Sequence, residues 1–256
     1  DVVLAEVEDD SIAAGALGVF VRTYEEEDVE IAFDNVEVWD ISTPEGAEPA
    51  QPAAVDQPSV AEIEGRFFDI LMTEPAISDD FRVDTGDWSV NSSDDVTIEF
   101  LRRSLHISVD SADWITWSLY PTDLTDFLAE ADVQVITSPL DGNYGIVFRF
   151  LDSDNFYVFR ISPRGTFSLM KKVDGEWTTL TNWTASVAID TSEGAINRIS
   201  VLAEGPQLAV LINDEVVAQA TDADIAEGQV GLAAGVYAEP GLEVAFDNVE
   251  IWDLTQ

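Results

Sequence analysis

The sequence predicts an all-β chain, an antiparallel jelly-roll β-sandwich preceded by a partial copy of the same module's C-terminal strands. Three observations carry this. Apolar and polar residues alternate over short runs, as in Leu105, Ile107 and Val109 against Ser104, His106 and Ser108, which is the two-residue period of a half-buried strand. Turn formers separate the runs: Asp141-Gly142-Asn143, Asp152-Ser153-Asp154, Pro163-Arg164-Gly165, Asp174-Gly175, Gly205-Pro206 and Asn213-Asp214. Finally, the beginning of the chain repeats its end. Residues 12–41 align without a gap on residues 225–254, with fifteen of thirty positions identical, among them Gly15/Gly228, Phe33/Phe246, Asn35/Asn248 and Trp39/Trp252. Similarity at so long a period marks whole repeated domains rather than solenoid turns.

Residues 1–42 therefore read as a partial repeat, the closing strands of a preceding module. A two- or three-stranded piece is marginal alone in water, and its open edges invite pairing. Val29, Ile31, Phe33, Val36, Val38 and Trp39 are accordingly expected to be assembly strands that dock onto a neighbouring subunit. Residues 43–60 hold Pro44, Pro49, Pro52 and Pro58 without apolar periodicity, a Pro-rich linker of semi-extended character. The complete β-sandwich module runs over 61–256. Its strand runs fall at 105–109, 131–135, 144–151, 155–162, 166–173, 196–203, 207–212, 215–220, 229–237 and 242–252, and no long helical periodicity competes. In the last run Leu242, Val244 and Phe246 share one phase, whereas Val249 and Ile251 share the other. The shift at Asp247-Asn248 predicts a bulge.

Composition excludes several partners. The net charge is −40, from 51 acidic and 11 basic residues, and Lys171 and Lys172 are the only lysines. Nucleic acid and anionic lipid both require basic residues to replace their counterions, so neither is an expected partner. Membrane insertion is not expected either, since no stretch reaches the roughly 18 apolar residues of a spanning helix. Cysteine is absent, which rules out disulfides and thiolate metal sites. An acidic excess of this size fits a solvated surface, divalent-cation binding or a high-salt setting.

The order of motifs carries a resemblance. GNYGIVFRFLDSDNFYVFRIS (142–162), a DGEW hairpin (174–177), NRISVLAEGPQLAVLINDEVVAQATD (197–222), GQVGLAAGVY (228–237) and FDNVEIWDL (246–254) together resemble the concanavalin A-like lectin/glucanase jelly roll. The closest likeness is to laminin G-like modules of bacterial secreted and surface proteins. The resemblance implies an extracellular or cell-surface location. That fold hosts lectins, glycosidases, adhesion modules and sensors, so function has to be argued from a site.

Two function classes compete, with a third more remote. The leading expectation is a non-catalytic, extracellular tandem-repeat module acting in self-assembly, as a fibre or surface layer, or in adhesion, with copies of itself as partners. The alternative is a carbohydrate-binding module with a polysaccharide partner. If the hairpins close simply, Asp132, Arg149, Tyr157 and Lys171 lie in one cross-strand row able to bind a glycan, or equally to form a salt-bridged row that supports the sheet. Arginine is rare here, which makes Arg149 and Arg160 on neighbouring strands notable. Trp117, with Trp114, Trp177 and Trp183, lines either a sugar cleft or the core. The remote reading is a glycoside hydrolase. Glucanases of this fold carry alternating carboxylates on one strand face, and Glu130-Ala131-Asp132-Val133-Gln134 has that spacing, but with an amide where the proton donor belongs. Calcium is the one cofactor suggested. Asp152, Asp154 and Asn155 gather hard oxygen ligands in one turn. The single histidine, His106, is expected at the surface.

Overall fold

The computed structural model describes residues 57–255, all within the second of two compact units, residues 54–256. Helix α1 (Val60–Leu71) opens this part of the chain. It was not expected, and it begins inside the segment read as linker. Its start is a capping box: the Ser59 hydroxyl accepts from the Glu62 amide, and the Glu62 carboxylate accepts from the Ser59 amide at 2.8 Å. Ile63, Phe67 and Ile70, spaced for one helix face, are buried against Leu128, Leu202, Leu211 and Trp252. Burying each such side chain is worth about 1.5–3 kcal/mol, which holds the helix on the sheet.

Fifteen strands follow: β1 (Ile77–Asp79), β2 (Asn91–Ser92), β3 (Val96–Leu101), β4 (Ser104–Val109), β5 (Trp114–Leu124), β6 (Phe127–Thr137), β7 (Asn143–Asp152), β8 (Asn155–Ile161), β9 (Thr166–Val173), β10 (Glu176–Ala185), β11 (Ile196–Glu204), β12 (Gln207–Ile212), β13 (Glu215–Thr221), β14 (Gly228–Val236) and β15 (Leu242–Asp253). One nine-stranded sheet has the order β13-β12-β11-β6-β15-β4-β3-β2, with β1 also paired to β15. A six-stranded sheet has the order β10-β9-β8-β7-β14-β5. Every pairing is antiparallel. The inner faces interlock as one core. Leu105, Ile107, Val133, Val201 and Phe246 come from the larger sheet and Ile146, Phe148, Tyr157, Phe159 and Leu232 from the smaller. The antiparallel β-sandwich expected from the sequence is the observed fold.

The expected bulge in the last strand is present. Asn248 takes φ 48°, and the pairing of β15 with β6 shifts between Asp247 and Glu250. The extra residue lets Phe246, Val249 and Ile251 all enter the core. The proposed assembly residues Val29, Ile31, Phe33, Val36, Val38 and Trp39, like the whole 1–42 repeat, lie outside the described residues.

Candidate functional site

Side chains alternate across a strand, so the smaller sheet has a second face turned away from the core. Val147 of β7, Phe156 and Val158 of β8 and Ala233 of β14 form its floor, overlaid by Trp117, Leu119, Phe150 and Met170. At one end this face opens into a cleft of about 290 Å³ lined by Asp113, Trp114, Asn143, Arg160, Met170, Trp177 and Tyr237. Trp114, Trp177, Trp183 and Tyr237 are each 39–47% exposed. Among the described residues, the only other large aromatic exposed to that degree is Phe68 on α1. Exposed aromatics thus concentrate around this cleft.

Arg160 is its centre. The residue is 5% exposed, with its guanidinium carbon 5.4 Å from the Trp183 ring centre and 6.0 Å from that of Tyr237. One terminal nitrogen donates to Asn143 Oδ1 at 3.1 Å and the other reaches Met170 Sδ at 2.9 Å. Among the described residues Nε is buried with no partner, and the group acting on the guanidinium charge is Tyr237 rather than a carboxylate. Burial pushes the guanidinium below its ordinary pKa. Directly across the β8–β9 ladder, Ser168 pairs with Arg160, and its hydroxyl is also buried without a partner. Native interiors rarely leave such groups unmet, and each exception asks for an explanation.

The surroundings hold this arrangement in place. Asn143 Nδ2 donates to the Gly235 carbonyl at 3.0 Å, fixing the amide that receives Arg160. Gly145 faces Arg160 in register, and a Cβ there would stand 1.9 Å from the Phe159 carbonyl oxygen, so β7 and β8 require glycine at this point. Asp113, at φ 58°, donates its amide to the Tyr237 carbonyl at 2.8 Å. Asp141 accepts from the amides of Ala238 and Glu239, bracing the loop that follows Tyr237.

The row expected from the sequence does not form a solvent-facing site. Asp132 lies in the other sheet, bound to Arg198 at 2.9 Å and to Asn248 at 2.9 Å. Arg149, at φ 46° where the β7–β8 register shifts, is turned inward and fully buried. It donates to the carbonyls of Thr125, Gly205 and Ile225. Tyr157 is buried with its hydroxyl on Asp222, and Lys171 bridges Asp222 and Asp224. Of the five proposed glycan residues, only Trp117 stands on the aromatic face, 5.1 Å from Phe150 and 5.4 Å from Phe156. The oxygens of the acidic turn are engaged internally. Asp152 accepts from the Asp154 amide and from Asn155 Nδ2, and the Lys172 ammonium occupies Asp154 Oδ1 and the Ser153 carbonyl. Among the described residues no group of three His, Cys, Asp or Glu could hold a metal. Glu130 of the glucanase-like motif faces away from the cleft, its buried carboxylate accepting from Ser200 at 2.7 Å. His106 is buried rather than at the surface, hydrogen-bonded to Glu243 at 2.9 Å.

Sequence reasoning missed Asp113, Asn143, Ser168 and Tyr237, and noted Arg160 only for its rarity. The available signal was the run Asn155–Ile161, apolar on both faces except at Asn155 and at Arg160.

Comparison with solved structures agrees with the sandwich. The carbohydrate-binding module CBM66 from Bacillus subtilis is 20% identical with a TM-score of 0.53, over 65% of this chain and 95% of that one. A protein of unknown function with a galectin-like fold, also from Bacillus subtilis, is 14% identical at TM-score 0.54, over 71% and 96%. The xylan beta-1,4-xylosidase of Bacillus halodurans C-125 is 11% identical at TM-score 0.53, over 70% of this chain and 39% of the enzyme. Such identities show the fold alone. They bear out a concanavalin A-like sandwich without singling out laminin G-like modules. No curated protein matches the chain. No helix among the described residues is long and apolar enough to cross a membrane.

A family model for the 3-keto-alpha-glucoside-1,2-lyase-like domain matches residues 81–252, well over half of the chain. This corrects the expectation of a non-catalytic module, because the family is described by a bond-breaking reaction on a glucoside. The chain belongs to the 3-keto-alpha-glucoside-1,2-lyase-like domain family.

Proposed function

We propose that the Arg160 cleft binds a carbohydrate ring, and that the ring it acts on is a glucoside oxidised at C3. The observation that carries this is the Arg160 guanidinium in the cleft lining, beside the exposed rings of Trp183 and Tyr237 and with no carboxylate partner among the described residues. Aromatic faces take the apolar side of a sugar, while a guanidinium without a carboxylate partner takes an oxygen that bears, or develops, negative charge. A C3 carbonyl acidifies the proton on C2. In a 1,2-elimination that proton leaves C2 for a carboxylate, and the electron pair passes into the C3 carbonyl as an enolate. The C1–C2 double bond then forms as the C1–oxygen bond breaks, and the departing oxygen takes up a proton. Arg160 stands ready to stabilise the enolate oxygen in a site where little water competes. Asp113, the carboxylate in the cleft lining, is the base this reading assigns. The likeness to a carbohydrate-binding module supports recognition of sugars, and the family supports the reaction class. An extracellular or cell-surface setting goes with this reading, since glycosides reach the chain there without transport.

The test is release of 4-nitrophenol from 4-nitrophenyl 3-oxo-α-glucoside, with the unoxidised glucoside as control. Release from the oxo sugar alone, reduced about 10²–10³-fold in Arg160→Ala and comparably in Asp113→Asn, is expected. If the oxo sugar is neither bound nor cleaved, the proposal is overturned.

A further inference from the structure

The cleft has room for a sugar ring, and what adjoins it on the sheet face is hydrocarbon. Its volume of about 290 Å³ lies at the lower end of the roughly 300–1,000 Å³ typical of small-ligand pockets, which suits one sugar ring. The remainder of a glucoside must leave along a neighbouring surface. Trp177 belongs both to the cleft lining and to an aromatic chain that runs away from it over the same sheet face. Its ring centre is 5.4 Å from Phe156, which in turn stands 5.4 Å from Trp117 and 5.7 Å from Phe150. Met170 continues the same path, touching Arg160 on one side and this apolar cluster on the other.

Resting on the functional reading above, we propose that this strip is the leaving-group subsite, and that its ligand is an aromatic or otherwise apolar aglycone rather than a second sugar. A second sugar ring presents hydroxyl groups around its edge, and each loses free energy if it is desolvated without a partner. The strip offers rings and aliphatic carbon almost throughout. The charged side chain beside it, Lys172, already serves Asp154 and the Ser153 carbonyl, with its ammonium 5.9 Å from the Trp177 ring centre. An aryl group, by contrast, gains from offset or edge contacts with Trp117, Phe150 and Trp177 and asks for no hydrogen bonds. The substrate class that follows is the 3-oxo-glucoside of a phenol or a similarly flat alcohol.

The experiment compares three ligands on the whole chain: methyl, phenyl and glucosyl 3-oxo-α-glucosides, read by titration calorimetry and by inhibition of nitrophenol release. The phenyl compound is expected to bind about tenfold more tightly than each of the others. Trp117→Ala and Phe150→Ala should bring the phenyl-to-methyl ratio close to one, while Trp117→Phe, which keeps a ring and guards against loss of folding, should preserve the preference. Binding of the methyl compound with no phenyl advantage, or with the glucosyl compound ahead, overturns the aglycone assignment and leaves the cleft intact. If none of the three binds, the functional reading itself has failed and the inference falls with it.

Discussion

Arg160 and Ser168 are paired across β8 and β9, and each carries a buried polar atom with no partner. The chain has 51 acidic residues, yet among the described ones none is a group acting on the charge of this arginine. Buried charges are ordinarily compensated, because leaving one unpaired costs several kcal/mol. Among the described residues this charge without a carboxylate stands where exposed aromatics also converge.

Stability and binding should therefore part company at Arg160. Replacing it with methionine removes a buried charge that no carboxylate among the described residues balances and keeps most of the side-chain volume. Arg160→Met should melt no lower than the parent chain and up to several degrees higher, while losing affinity for oxo-glucosides. Differential scanning fluorimetry beside calorimetric titration checks both halves. A fall in Tm of more than about 5 °C would show that the guanidinium is structural.

Arg149 supplies the opposite case. Its guanidinium ties together the carbonyls of Thr125, Gly205 and Ile225 in the interior, and each would be left without that donor. Arg149→Met should cost about 3–5 kcal/mol in urea unfolding. A loss below about 1 kcal/mol would mean that water reaches those carbonyls freely.

These two arginines also show what the sequence could and could not tell. Alternation and turn residues made the sandwich legible, and even the Asp247-Asn248 bulge could be placed from a change of phase. The equivalent irregularity at Arg149 lies in a run apolar on both faces, where no change of phase is visible, so its inward turn was hidden. Asp132 was assigned to the wrong sheet because hairpin logic joins β6 to β7, whereas β6 pairs with β11 and β15. Helix α1 left one local mark, the Ser59 and Glu62 capping box after the last proline of the linker. The cleft was legible only as a set of tryptophans, since sequence alone does not say that Trp114, Trp177 and Trp183 gather around one arginine.

Glu130 gives stability a pH dependence. Burial raises its pKa above the ordinary value of 4.5, with Ser200 and Arg198 acting in the opposite direction. A carboxyl with a raised folded-state pKa contributes most below the unfolded value and loses that contribution as pH climbs through the folded one. Glu130→Gln, which keeps an oxygen for Ser200, should leave stability near pH 4 almost unchanged and increase it at pH 7. Urea midpoints across that range decide. Equal effects at both ends would mean that Glu130 is ionised and compensated in the folded chain.

The acidic turn at Asp152–Asn155 yields a salt prediction. Lys172 and neighbouring amides already occupy its oxygens, so calcium should raise Tm no more than sodium chloride of matched ionic strength, both acting by screening the net charge of −40. A calcium response that saturates at low concentration and is indifferent to sodium chloride would establish a specific ion site instead.

The most direct measurement of the central claim is a crystal structure with methyl 3-oxo-α-glucoside bound. The account predicts the sugar in the cleft beside Tyr237, with its C3 oxygen within hydrogen-bond reach of the Arg160 guanidinium, about 2.7–3.2 Å, and C2 turned towards Asp113. A sugar bound on the nine-stranded sheet near Glu130 and Asp132, or seated in the cleft without contact to the Arg160 guanidinium, would contradict it.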